Sequence, residues 1–361
     1  MSKKKFNLSD FLKKKNVNIT AKAYFVEAMS GMAQGLFASL LIGTILNTLG
    51  KYVALIPGDA FTVIAGLLTK SGQMASAITG AAIGVGIAAA LKAPMLVMAC
   101  ATCVGYFANA FPGEPYAAGP LGVFIAVIFA TEFGKLVSKE TKVDILVTPI
   151  VTLGTGLLVA YVTCPAIAIA MNWIGEFINE ATNLHPFLMG IVISVVVGII
   201  LTLPISSAAI CASIGIAGIA GGAALAGCCA QMVGFAACSF RDNKWGGVVS
   251  QGLGTSMLQM PNIVKHPQIW IPATLAAAVT GPMSTLIFKL ECNGVSAGMG
   301  TCGLVGPIGC ITAMTNSGTL NGTAWFGMLV ICIVAPAVLS ICFELILRKL
   351  GLIKEGYMKL S

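Results

Sequence analysis

Charged residues are scarce in this chain: only 9% of its 361 residues are Asp, Glu, Lys or Arg, against about 25% in soluble domains. Histidine occurs twice, as His185 and His266. With so little charge, no segment between residues 23 and 348 can build a soluble catalytic module. No Gly-x-x-x-x-Gly-Lys-Ser/Thr loop is visible, so no nucleotide-driven pump is expected. No His-Glu-x-x-His pair offers a metal site on a helix, and no convincing Ser/His/Asp arrangement stands out. We expect no catalytic residue of the chain's own, no metal and no cofactor.

What is abundant is apolar surface. Hydrophobic residues make up 57% of the chain, mean hydropathy is +0.93 and glycine numbers 42. Glycine at this level suits membrane helices that pack closely. The expected fold is all-α: a polytopic integral membrane protein with about ten transmembrane helices and one or two re-entrant hairpins. Apolar runs mark 24–49, 52–69, 73–91, 93–110, 121–137, 145–163, 165–177, 186–203, 204–220, 222–240, 271–288, 298–314 and 324–347. Residues 1–22 then form a basic N-terminal segment, 23–348 the membrane domain and 349–361 a C-terminal tail.

The net charge of +8 is explained by topology. Lysines gather at Lys3–Lys5, Lys13–Lys15 and Lys22 before the first span, and at Lys135, Lys139 and Lys142. Arg348, Lys349, Lys354 and Lys359 follow the last span. This is the positive-inside pattern, which puts both termini in the cytoplasm with lipid, not nucleic acid, as the partner. The N-terminus lacks the form of a cleaved signal peptide. Phe6, Leu8, Phe11 and Leu12 among lysines suit a short amphipathic helix on the inner leaflet, or a solvated tail.

The 12 cysteines lie in apolar runs. Cys100 and Cys103 sit at helical spacing without a nearby His, Asp or Glu, and are read as small packing residues. A weak internal repeat at an offset of 110 aligns Gly80, Leu91, Pro94 and Gly105 with Gly190, Leu201, Pro204 and Gly215; chance is the alternative, since Gly and Leu are common here. Such repeats are typical of secondary transporters.

The stretch from Ser250 to Asn316 is neither a good span nor a good soluble loop. Irregular backbone at membrane depth survives only where protein buries it or where it lines a watery cavity. Breaks at Pro57-Gly58-Asp59, Pro204-Ile205-Ser206-Ser207 and Pro261-Asn262 have the same character. Six residues are candidates for binding a hydrophilic substrate: Gln231, Gln251, Gln259, Asn262, His266 and Glu291. Amides donate and accept together, and a carboxylate accepts from two hydroxyls. Each has a plainer reading, the glutamines as packing glue and His266 and Glu291 as a loop cluster with Lys265 and Lys289. Glu27 and Asp59 are candidate coupling carboxylates; an interfacial position beside Lys22 and a helix cap are the alternatives. Glu132 is spaced to pair with Lys135 along one helix face. A continuous helix over 271–288 would hold His266 and Glu291 roughly 30 Å apart. A break at Pro272 or Gly281-Pro282 would let them share a site. Without one, Gln251, Gln259, Asn262 and His266 are the better site for a hydrophilic substrate, and Glu291 belongs to the membrane surface.

Four segments carry a resemblance to a known family. LPISSAAIC (203–211), GCCAQMVGFAACSF (227–240), SQGLGTSMLQMPNIVKHPQIWIP (250–272) and GMGTCGLVGPIGCITAM (298–314) resemble the membrane IIC component of the bacterial sugar phosphotransferase system. The resemblance covers nearly the whole chain after residue 20, within the branch that includes perfringolysin-regulator-like membrane proteins. It implies a homodimer with re-entrant hairpins and a Glu and a His that contact sugar hydroxyls, of which Glu291 and His266 are the best equivalents. It also implies phosphorylation of a sugar or polyol by a separate phospho-IIB partner. No IIA or IIB domain is fused here. A stand-alone membrane sensor or regulator, or an ion-coupled secondary transporter, are the alternatives.

Overall fold

A computed structural model describes residues 8–113 and 117–360. Lys3–Lys5 and Phe6 lie outside the described residues. Among the described residues every regular element is helical. In chain order the helices are α1 (Leu8–Lys14), α2 (Ala23–Val53), α3 (Asp59–Ala77), α4 (Thr79–Ala90), α5 (Met95–Ala110) and α6 (Gly119–Val137). There follow α7 (Asp144–Ala181), α8 (Pro186–Thr202), α9 (Ser207–Ser213), α10 (Gly218–Cys238) and α11 (Phe240–Val249). The last are α12 (Met260–Lys265), α13 (Pro267–Phe288), α14 (Gly294–Ala297), α15 (Cys302–Asn316) and α16 (Gly322–Lys349).

Six of these, α2, α6, α7, α10, α13 and α16, are long and apolar enough to cross a membrane. Helices α3 and α4 pass the same test together across a break at Ile78, which makes up to seven, and α5, α8 and α15 are shorter apolar helices. This is the all-α polytopic membrane protein expected. The boundaries differ most in two places. The runs 145–163 and 165–177 join into the single 38-residue α7, with Pro149 and Pro165 inside it; membrane helices accommodate proline because neighbouring groups re-satisfy the freed backbone. The run 204–220 is instead broken. Ser206 caps the seven-residue α9, accepting from the Ala209 N–H at 3.2 Å. Left-handed glycines at Gly215 and Gly218 then turn the chain into α10.

The chain divides into two compact units, with boundaries inside α2, at Ile78 and inside α7. The first holds residues up to Leu36 together with Ile78–Ile167. Its helices touch through small residues: a Cβ on Gly31 would lie 2.2 Å from the Gly86 carbonyl oxygen, and one on Gly80 would lie 2.3 Å from that of Gly105. Without a hydrophobic drive between helices in lipid, such close backbone approach supplies the packing. Lys15, just past α1, donates to the Ser138 carbonyl and pairs with Glu140 at 2.5 Å.

The second unit holds Phe37–Ala77 and the chain from Ala168 onward. Its axis is α10, whose Gly, Ala and Cys side chains are small all round; 89% of its most apolar stretch is buried. A helix apolar on every face belongs inside a bundle, and α8, α13 and α16 surround it. Gly227 lies against the Ser194 carbonyl of α8 and Gly281 against that of Gly190. Beyond α16 the chain folds back, burying Ile353 and Met358. The helix–proline–helix arrangement of the expected repeat recurs at Pro94 and Pro204. Gly105 and Gly215 do not correspond, the first lying inside α5 and the second in a left-handed turn.

Candidate functional site

The polar stretch 239–266 folds as a series of short pieces. Pro261 sits in the first turn of α12, where its missing N–H leaves no intrahelical bond unmade. Thr255 is extended and its hydroxyl accepts from the Met257 N–H at 3.2 Å, starting a single tight turn over Ser256–Gln259. These bends bring three sequence-nominated amides together. Gln251 Nε2 donates to Ser239 Oγ at 2.8 Å and to the Gly247 carbonyl at 3.1 Å. Gln259 Nε2 donates to Gln251 Oε1 at 2.8 Å, and Asn262 Nδ2 donates to Gln259 Oε1 at 2.9 Å. Gln251 and Gln259 are fully buried. All four of their N–H donors are engaged, because Gln259 Nε2 also reaches the Met358 carbonyl at 2.9 Å.

The rest of this cluster faces the C-terminal segment. Asn262 Nδ2 donates to the Lys359 carbonyl at 2.9 Å. The His266 ring stacks on Tyr357, with centroids 3.7 Å apart and planes 2° from parallel. Asp242 and Asn243, which sequence reasoning passed over, complete the contact. Their only signal was a charged run after an apolar span, and nothing local in it points 115 residues down the chain to Met358.

Gln231 belongs to a different network. Its Oε1 accepts from Trp270 Nε1 at 3.0 Å and from Thr202 Oγ1 at 3.3 Å, and its Nε2 donates to Thr274 Oγ1 at 3.2 Å. Thr202 and Ser256 share a further bond of 2.8 Å. A buried amide would be costly unpaired; here it joins α8, α10 and α13, the arrangement of polar glue between helices.

Glu291 lies elsewhere in the same unit. Helix α13 runs unbroken from Pro267 to Phe288, closing with a π-helical turn at Met283–Phe288. At 1.5 Å per residue its 22 residues span about 33 Å. His266 and Glu291 therefore stand at opposite ends of one helix and share no site. Lys289, in a left-handed conformation, ends the helix, and residues 290–293 run alongside the start of α10. The Cys292 N–H donates to the Gly218 carbonyl at 3.1 Å, the Gly294 N–H to that of Ile216 at 2.8 Å, and the Gly218 N–H to Asn293 Oδ1 at 3.2 Å. Gly221 and Gly222 make the approach feasible. A Cβ at either would lie 1.8 Å from the Cys292 carbonyl oxygen or 1.9 Å from that of Leu290. The two short helices α9 and α14 pack on each other here, with Ser207 Oγ donating to the Gly298 carbonyl at 2.7 Å. Glu291 is half-buried in this irregular backbone, and among the described residues no hydrogen bond or ion pair engages its carboxylate. Such a group can accept from two hydroxyls at once.

In the first unit, Glu132 and Lys135 form the expected pair, at 2.9 Å. Lys135 is almost wholly buried, and its ammonium also donates to the carbonyls of Asn16 at 2.8 Å and Leu91 at 3.1 Å. Three acceptors meet its three N–H donors. Glu27 is half-buried and lines the small cavity beside this pair, with Asn18 and Lys92. Asp59 is exposed in the first turn of α3, where a carboxylate favours the positive end of the helix dipole.

Residues 26–360 match a protein family described as Phosphotransferase system, EIIC. No individually curated protein matches the chain in sequence.

Proposed function

The chain belongs to the phosphotransferase-system EIIC family, and on that premise we propose that it carries a sugar or polyol to the cytoplasmic side for phosphorylation by a separate IIB protein. Residues 23–348 form the transport domain, flanked by cytoplasmic segments 1–22 and 349–361, and the working unit is a homodimer in the bacterial cell membrane. The lysines beside the first and last spans support that orientation.

One observation carries the reading of the site. Glu291 presents an unengaged, half-buried carboxylate from irregular backbone between spans. Backbone of that kind is tolerated at membrane depth where it lines a cavity or is packed in protein, and it is where transporters hold their substrates. Gln231, Gln251 and Gln259 are better read as structural, since all three are fully buried and already hydrogen-bonded within the fold. In this reading Glu291 accepts sugar hydroxyls, and His266, at the far end of α13, does not touch the same molecule.

The test is a ligand panel of hexoses, hexitols and disaccharides on the purified protein in nanodiscs, read by calorimetry. A bound sugar should lose at least about tenfold in affinity with Glu291→Gln, the loss of one charge-assisted hydrogen bond, and keep its affinity with His266→Ala. Loss with His266→Ala and none with Glu291→Gln would overturn the assignment. A stand-alone sensor is the second reading, favoured by the C-terminal segment that already occupies the Asn262–His266 surface. Sugar uptake that depends on phosphoenolpyruvate would exclude it.

A further inference from the structure

Residues 356–360 are held through their backbone by side chains far away in the sequence. Asp242 Oδ1 accepts from the Gly356 N–H at 3.1 Å and Asp242 Oδ2 from the Met358 N–H at 3.3 Å. Asn243 Nδ2 donates to the Met358 carbonyl at 2.8 Å while its Oδ1 accepts from the Leu360 N–H at 2.8 Å. Gln259 and Asn262 donate to the carbonyls of Met358 and Lys359. Six side-chain hydrogen bonds thus read the backbone of four of the five residues 356–360. Two side chains add specificity: Met358 is 1% exposed and Tyr357 lies flat on His266. This is how a peptide site works, with main-chain hydrogen bonds for affinity and a pocket for selectivity.

The segment also has the means to leave. Beyond α16 it forms no regular element, and Gly351 and Gly356 take left-handed conformations at its two bends. Lys354, Glu355 and Lys359 are exposed. Its hold on the unit rests on the six bonds, the ring stack and the seating of Ile353 and Met358.

We propose that Asp242, Asn243, Gln259, Asn262 and His266 form a peptide-binding cradle whose resident ligand is the chain's own residues 356–360, held there as a removable strap. While the strap is seated it ties the irregular stretch 250–266 to the end of α16. It also covers the His266 ring and engages the Gln259 and Asn262 amides, so nothing else can take them. Release uncovers all three. The inference does not depend on where sugar binds, because Glu291 lies at the other end of α13.

The test uses a chain ending at Lys354 and a labelled peptide of residues 355–361, followed by fluorescence anisotropy in detergent. The truncated chain should bind the peptide saturably, and a peptide carrying Met358→Asp should not bind. The intact chain should bind about a hundredfold more weakly or worse, since its own strap competes at an effective concentration in the millimolar range. A truncated chain with unaltered thermal unfolding that ignores the peptide would overturn the proposal, as would equal binding to both chains. If the truncated chain does not fold, hydrogen exchange on the full-length protein decides. The amides of Gly356, Met358 and Leu360 should be protected, and should exchange at least about tenfold faster in Asp242→Ala/Asn243→Ala, which removes all three acceptors. Free exchange in the unaltered protein, or unchanged protection in the variant, refutes the strap.

Discussion

Gly221→Ala and Gly222→Ala test whether the segment carrying Glu291 is held by backbone contact with α10. A methyl group on Gly221 would sit 1.8 Å from the Cys292 carbonyl oxygen and 2.6 Å from its carbon, both backbone atoms. To reach ordinary contact at 3.4 Å the segment must retreat by about 1.6 Å, and a packed neighbour that cannot swing aside turns such a shift into strain of about 1–3 kcal/mol. Leu290, one residue before Glu291, is anchored from its own side by a 3.0 Å bond to the Ser284 carbonyl, and Ser284 Oγ is bonded to the Gly222 carbonyl at 3.0 Å. The retreat therefore breaks bonds as well as contacts. Gly66→Ala on α3 is the control: it meets nothing within 4 Å and should gain about 0.5–1 kcal/mol from the better helix former. Thermal unfolding in one detergent should separate the two α10 variants from the control by about 1.5–4 kcal/mol. Sugar affinity should fall in whatever protein remains folded. If Gly221→Ala and Gly222→Ala unfold with the control and bind sugar normally, the close packing of 290–293 on α10 is not what positions Glu291.

Three further outcomes follow from contacts described above. Gln231→Leu leaves the Trp270 indole N–H without its acceptor and takes from the Thr202 hydroxyl one partner, leaving it Ser256; it should destabilise the fold by about 1–3 kcal/mol, read by thermal unfolding, with Glu291-dependent binding retained. Glu132→Ala strands the buried Lys135 ammonium and should cost about 3–5 kcal/mol, whereas Glu132→Ala combined with Lys135→Met should recover most of the loss in the same assay. The third concerns pH. The Lys15 ammonium, by hydrogen bond and charge, holds the exposed Glu140 carboxyl below its ordinary value of 4.5. A depressed carboxylate stabilises the docked state above its unfolded pKa and ceases to do so as pH falls through the lower folded value. A fluorophore on α1 should therefore report loosening only below about pH 4.5, and Glu140→Gln should remove that step.

The membrane class was legible because hydropathy is additive along a helix: α6, α10 and α16 fall where the apolar runs place them. The Glu132–Lys135 pair was legible for a similar reason, since residues three apart on a helix face are neighbours whatever surrounds them. Proline was the less reliable guide. Pro165 suggested a boundary and α7 runs through it, while Pro204, with Ser206 and two left-handed glycines beside it, does end a helix. The separation of His266 from Glu291 turned on whether α13 is continuous. Pro272 lies where the opening 3-10 turn of α13 passes into its α-helical part and Pro282 just before a π-helical turn, positions where a helix can absorb the missing donor.

By itself the sequence determined that this chain is a helical membrane protein of the EIIC family, because composition, lysine placement and long motifs survive without knowledge of contacts. Which polar residues are free could be decided only by the tertiary structure. Gln251, Gln259, Asn262 and Glu291 are all hydrogen-bonding side chains in one polar stretch, and nothing local distinguishes them. The difference comes from partners distant in sequence. Met358 and Lys359 engage the amides from about a hundred residues away, while Gly221 and Gly222 bring irregular backbone close to α10 and leave the Glu291 carboxylate unengaged. A side chain's capacity to bind is set by its chemistry, but its availability is set by what the fold has already placed against it.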